Sequence, residues 1–318
     1  MDFKPLIPPS PTRPRGINFG SATALFNVRS PHSFHISPQS NYSKALHGNF
    51  SLSTLLLIGA AIQTVLVLLP IPKTYVLSPA ITLLVLRLTH TMLITYNIIP
   101  NPYLKNAVPK KSTAQVMDRS GNFAGPGKEK VAVLLLGAKS NHPLGIFAPD
   151  FSYVGSLLQK MTAELENDPN QDTGFLGQTS LHRTDDNGAI EFILVSYWRS
   201  IGDVHKYAHG PAHRDAWKWW ESTLKHHDYI GFMHEVYEAD KGMWEGVYIN
   251  FQPTLLGKTT YLKRDGKLVG GEVKEEWVSP LLDANKGALR SSARRRGLVD
   301  DKKLVGNMFK ENPYVAEF

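Results

Sequence analysis

Three histidines, His205, His209 and His213, recur every four residues, a spacing that stacks side chains on one helix face and suits metal ligands. Gly210-Pro211 breaks that register, because a proline opens a helix more readily than it continues one. His213 therefore begins a new helix in Gly210-Pro-Ala-His213-Arg-Asp-Ala-Trp217, and a three-histidine metal site is not expected. A neutral imidazole at that position can act as a base or a hydrogen-bond donor near pH 7, or it can simply cap the helix or bond Asp215. His226-His227 reads as a helix end, where imidazole suits the terminal carbonyls. In Gly231-Phe-Met-His234-Glu235-Val-Tyr237, strand alternation sets His234 beside Phe232 and Val236, and Glu235 beside Met233 and Tyr237. Glu235 is either an acid or base made by desolvation or one half of a structural pair with Arg199.

Around these groups lies a surplus of large aromatics: Trp217, Trp219 and Trp220 on one helix, with Tyr197, Trp198, Trp244 and Tyr248. Core packing accounts for most of them, and the excess suits a pocket for a long, flat, apolar substrate. The chain has no cysteine, which excludes disulfides, thiolate metal sites and a cysteine nucleophile. Neither a Gly-X-Ser-X-Gly elbow nor a dinucleotide fingerprint is present. The glycine-rich run 121–128 fails as a phosphate loop, since Asn122 and Glu129 replace required residues and the run precedes a strand.

The elements that position these residues follow from periodicity. Residues 131–136 form a strand that is apolar on both faces, and Phe151, Val154, Leu157, Leu158, Met161 and Leu165 recur at helical spacing. Strands follow at 175–183 and 190–198, joined by Asp185-Asp186-Asn187-Gly188, whose Asn-Gly pair accepts the positive φ of a tight turn. A helix at 200–227, broken at 210–211, and a strand at 229–238 complete a β-α-β-β-α-β order, the α+β ferredoxin-like unit. Helices can cover only one face of that sheet, yet Ile193, Val195 and Tyr197 make the second face apolar as well. A homodimer that sets two sheets face to face, a dimeric α+β barrel, supplies the missing cover.

Before this domain come two apolar stretches, 52–69 and 76–99, parted by a turn that contains two prolines. The first is uncharged and near the roughly 20 residues that cross a bilayer as a helix. The second carries Arg87 near its middle, so the pair either spans the membrane or dips into it. Lys4, Arg13, Arg15, Arg29 and Lys44 precede the pair and Lys105, Lys110 and Lys111 follow it, which puts both ends in the cytosol by the positive-inside rule. Residues 1–50 read as a disordered tail, 51–99 as the membrane pair, 100–129 as a linker, 130–257 as the folded domain and 258–318 as a basic, largely disordered extension. The cluster Arg290, Arg294, Arg295, Arg296, Lys302 and Lys303 in that extension suits anionic lipid headgroups better than nucleic acid, for which no reader motif is present.

Residues 130–257 resemble a known family, that of the membrane-bound polyketide monooxygenase of the fumagillin pathway, itself a relative of the antibiotic-biosynthesis monooxygenases. The resemblance rests on Val131-Ala-Val-Leu-Leu-Leu-Gly137, Gly174-Phe-Leu-Gly177, Ser196-Tyr-Trp-Arg-Ser200, Ala212-His-Arg-Asp-Ala-Trp217, Phe232-Met-His-Glu-Val-Tyr237 and Glu245-Gly-Val-Tyr-Ile-Asn250, in order. Gln252-Pro253 departs from the Met-Pro that the family leads one to expect. The resemblance implies a dimeric α+β barrel and oxygen-dependent chemistry on a polyketide or terpenoid-like metabolite. Cofactor-free relatives let a substrate anion reduce oxygen directly. Haem-degrading relatives ligate iron through a helix histidine; Trp217 stands at the matching position here, which leaves His213 or His234 to bind iron in the haem alternative.

The expectation is a multi-pass membrane enzyme of the endoplasmic reticulum, its domain facing the cytosol, with molecular oxygen as co-substrate and no bound cofactor. His213, His234 and Glu235 are the candidate catalytic residues. Tyr197, Trp198, Arg199, Trp217, Tyr248 and Asn250 are candidates for substrate binding, with Arg199 and Asn250 holding an oxyanion. The partners expected are an apolar small molecule, the membrane, a second copy of the chain and other enzymes of the same biosynthetic route. Two alternatives stand beside this reading, a non-catalytic carrier of an apolar metabolite and a haem-dependent lyase or dehydratase.

Overall fold

A computed structural model describes residues 5–11, 13, 49–168, 173–269, 272–285 and 287–298. Two helices come first, α1 (Leu52–Leu68) and α2 (Lys73–Thr95). The Ser51 hydroxyl caps α1 by accepting from the Thr54 amide. Pro70 and Pro72 cannot extend α1, and the chain turns back between the two helices. Gln63 of α1 donates to the Val76 carbonyl of α2 at 3.2 Å. No side chain of either helix is buried.

The strands are β1 (Ser112–Ala114), β2 (Val131–Ser140), β3 (Phe175–Thr184), β4 (Ile190–Trp198), β5 (Ile230–Ala239), β6 (Gly246–Tyr248), β7 (Tyr261–Val269), β8 (Glu272–Val278) and β9 (Leu281–Asp283). Helix α3 (Phe151–Glu166) lies between β2 and β3, and α4 (Ile201–Ala208) and α5 (Pro211–Thr223) lie between β4 and β5. Strands β2 to β5 form one antiparallel sheet in the order β3-β4-β2-β5, the ferredoxin-like arrangement expected from the element order. The β3–β4 turn forms because Asp185 accepts from the amides of Asn187 and Ala189, while Gly188 takes φ 86°.

One face of this sheet carries the helices in two clusters. Ala138, Phe192 and Ile230 pack with Phe151 and Val154, and Ala132, Trp198 and Phe175 pack with Leu165 and Val204. The opposite face is covered at one end only, where Val131, Tyr197 and Ala239 meet a second module. That module joins the three-stranded sheet β6-β1-β9 to the hairpin β7-β8.

The second module corrects three expectations. The presumed linker 100–129 contributes β1, the central strand of its sheet, with Ser112, Thr113 and Ala114 fully buried. The extension after residue 257 is not largely disordered, since Leu281, Leu282 and Leu289 are among the most buried side chains. Part of the basic run is internal as well: Arg295 is buried, pairs with Glu245 and donates to the carbonyls of Leu289 and Arg290. Lys302 and Lys303 lie outside the described residues.

The tail before α1 also contradicts the expected disorder where it is described. Leu6 and Ser10 make backbone hydrogen bonds to Leu281 and Trp277. Arg13 stacks its guanidinium on Trp277 and Phe175 and donates to the carbonyls of Leu165 and Glu166 at the end of α3. It thereby ties the second module to the first.

If residues 281–289 are core, Leu282→Ala lowers stability by about 2–5 kcal/mol, the range for emptying a well-packed leucine site. Denaturant unfolding of the detergent-solubilised protein measures it, and an unchanged midpoint would restore the disordered extension.

Candidate functional site

Sheet register decides which candidates share a face. Leu136 lies between His234 and Leu194, and Leu134 between Val236 and Ser196, so these residues form two rows on the helix side. On β2 and β4 the helix-side residues at both ends are buried, whereas Leu134, Leu136 and Leu194 in the middle are only half-buried, and on β5 Phe232, His234 and Glu238 are exposed. Leu157, Leu158 and Met161 of α3 are half-buried too. These half-buried leucines lie between the two packed clusters, where the helix side of the sheet is least completely covered.

His234 flanks these leucines on β5, an edge strand of the sheet. His213 is the third residue of α5 and half-buried. It lies seven residues before Trp220, so both fall on one stripe of the helix. Trp220 packs edge-on against Phe232 with ring centroids 4.8 Å apart. The short connection from α5 into β5 makes the two elements run in opposite directions. Following α5 back from Trp220 thus moves along β5 from Phe232 towards His234 and Val236, which puts both imidazoles on the helix side of the sheet, His213 half-buried and His234 exposed. Neither ring makes a hydrogen bond among the described residues.

Glu235 is placed elsewhere. Its side chain is on the opposite face with Met233 and Tyr237, is exposed, and accepts from the Tyr237 hydroxyl at 2.6 Å. It is neither the desolvated carboxylate nor the Arg199 partner that the sequence suggests. Arg199 instead donates to the carbonyls of Met117 and Asp118, both at 2.9 Å, and lies over the Tyr261 ring. Its terminal nitrogens hold the second module and are not open to an oxyanion. Burial lowers its pKa.

Tyr197 and Trp198 are adjacent on β4 and point to opposite faces, so no single pocket takes both. Trp198 is core: 2% exposed, packed on Phe175 and Tyr207, its Nε1 donating to Ser196. Tyr197 lies near Tyr248, whose hydroxyl accepts from the Gly257 amide. Trp217 is 54% exposed and donates to Glu221 on its own helix. Asn250 is exposed at a turn, in the left-handed region with φ 50°. His213 and His234 thus share the helix side of the sheet, and the remaining candidates are dispersed.

No group of three His, Asp or Glu side chains able to hold a metal occurs among the described residues. His209 bonds the His205 carbonyl at the end of α4, which disposes of the three-histidine spacing. Haem held at the matching helix position does not fit, because an indole nitrogen is a donor only and offers iron no lone pair.

One pair was read from sequence as no more than a helix end. His227 is buried, contacts Asp150 through Nε2 at 2.7 Å and stacks on Trp219. Asp150 holds it from a left-handed backbone, φ 57°, just before α3. The partners lie 77 residues apart, so no local spacing could announce the pair.

Beneath the covered sheet face, Tyr197 and Tyr261 are pushed up to about 12, each by burial first, with Tyr248 adding to both. Both phenols raise stability below their ordinary value near 10, and that contribution is lost between about pH 10 and 12. Tyrosinate absorbance should therefore rise late and together with unfolding. Ionisation of these two at the ordinary value, with the fold intact, would contradict the burial.

Residues 131–256 match the family model described as monooxygenase af470-like. Monooxygenase af470 of Aspergillus fumigatus is 28% identical over 256 residues, covering 80% of this chain and 90% of that protein. An aliphatic aldoxime dehydratase of Rhodococcus globerulus is 31% identical over 94 residues, about a quarter of its length. Among solved structures, SnoaB, a cofactor-independent oxygenase from Streptomyces nogalater, aligns at 15% identity and a TM-score of 0.24, over 33% of this chain and 90% of its own.

Proposed function

We propose that the chain, whose residues 131–256 match the monooxygenase af470-like family model, oxygenates an apolar, electron-rich metabolite of polyketide or terpenoid type in a crevice between α3, α5 and the sheet. The observation that supports this reading is the pairing of half-buried leucines with two imidazoles that make no hydrogen bond among the described residues. An apolar floor binds a flat hydrocarbon body, and a neutral imidazole at its rim takes a proton from an acidic C–H or O–H. The anion so formed reduces oxygen itself: a methylene becomes a carbonyl, one oxygen atom enters the product and the other leaves as water. The substrate supplies every electron, so the chemistry asks the protein only to bind, deprotonate and exclude water.

The same proposal places the chain on a membrane. Helix α2 has 23 residues and is long and apolar enough to cross a bilayer; α1 is shorter at 17 residues. Nearly every large apolar side chain of both is exposed, a surface that water does not tolerate. Lipid covers it, and a hairpin with both ends on the cytosolic side delivers apolar substrate to the domain.

The uncovered part of the sheet completes the picture. Leu181, Met233 and Tyr237 are exposed beside half-buried Leu135 and Ile193. A second copy packed there by the same face gives the homodimer.

His213→Ala and His234→Ala test the site through oxygen uptake with electron-rich phenolic substrates. At least one should lose about 10²–10⁴-fold in turnover, the usual contribution of a general base, while Glu235→Gln stays near the parent rate. Full turnover in both histidine variants would remove the assignment, and binding without oxygen uptake in the parent would make the protein a carrier. Met233→Arg should yield monomers by light scattering in detergent, and a dimer that persists would place the interface elsewhere.

A further inference from the structure

The two roots of the hairpin are built into the domain at different loops. Before α1, the Asn49 side chain accepts from the Ile146 amide at 2.9 Å and donates to the Leu144 carbonyl at 3.2 Å. Phe50 stacks on Phe147 with centroids 6.5 Å apart. The fit at this root is close, since Gly145 takes φ 57° and a Cβ there would strike Asn49. After α2, Gln252 donates to the Tyr103 carbonyl at 2.8 Å, and Val108 bridges to Phe251. A freely tethered domain would need neither attachment.

Both roots are ringed by exposed apolar side chains on the domain itself. Leu144 and Phe147 surround the first, and Leu104, Ile249 and Phe251 the second, each 48–61% exposed. Residues 97–117 contain Lys105, Lys110 and Lys111 and no acidic residue. Lys105 and Lys110 are exposed, and Lys111 donates to the Arg290 carbonyl, which adds a further cation alongside. Apolar side chains that enter the acyl boundary, flanked by cations at headgroup level, are the features of a surface that lies on an anionic bilayer.

We infer that the loops 142–147 and 249–252, each fixed to one root of the hairpin, are seated in the headgroup region of an anionic leaflet, with Phe147 and Phe251 entering the lipid. The hairpin does not merely tether the domain; it fixes which side faces the bilayer. This rests on the membrane reading of α1 and α2, and it adds an orientation that a tether alone does not require.

The absence of cysteine makes the test direct, since any introduced thiol is the sole label site. The full chain is reconstituted into phosphatidylcholine–phosphatidylserine vesicles as Phe147→Cys, Phe251→Cys, Val85→Cys or Gly188→Cys, each carrying an environment-sensitive fluorophore. Gly188 lies at the open tip of the β3–β4 turn, and Val85 lies within α2. Nitroxide-bearing lipids should quench the labels at 147, 251 and 85 and leave the label at 188 unchanged. Quenching at 85 alone would overturn the seated face and leave the membrane anchor standing. No quenching at 85 would remove the anchor, and the inference with it.

Discussion

A four-stranded sheet that is apolar on both sides needs two covers, and the rest of this structure follows from how they are supplied. Helices α3, α4 and α5 cover one side in two separate clusters. The other side receives a second module at one end only. Each cover is incomplete in a different way. Between the helix-side clusters lie the half-buried leucines, and beyond the second module lies the exposed strip around Met233 and Tyr237. The proposed binding and assembly make use of these two gaps.

The ferredoxin-like unit was legible because its determinants are local. Period-two runs, one helical stripe, the Asn-Gly turn and the Gly-Pro break each lie within about a dozen residues, the window in which periodicity speaks. The second module was not legible, for the opposite reason. Its central strand is three residues long and pairs with partners near 247 and 282. No pattern inside so short a strand separates it from a linker. The hairpin β7-β8 is rich in Lys and Glu, which resembles a solvated tail until Tyr261 and Val278 are seen packed in the core.

The candidate residues were legible by type and not by geometry. His213 and His234 fall on the helix side of the sheet, beside its half-buried leucines. Glu235 was separable from His234 by strand alternation alone, as were Tyr197 and Trp198 from each other. Arg199 could not be read, because its carbonyl partners at 117 and 118 come from the segment taken for a linker. The same non-local closure hides the Asp150–His227 pair and the Arg13 clamp.

The central claim is that an apolar ligand occupies the helix side of the sheet between His213 and His234, which make no hydrogen bond among the described residues. Histidine ring resonances of the detergent-solubilised protein, recorded as a flat polycyclic phenol is added, test it most directly. The account predicts that the His213 and His234 signals move in a saturable way while that of His227, buried against Asp150, stays in place. Saturable shifts confined to Met233 and Tyr237, with both histidines unmoved, would place the ligand on the other face of the sheet and contradict it.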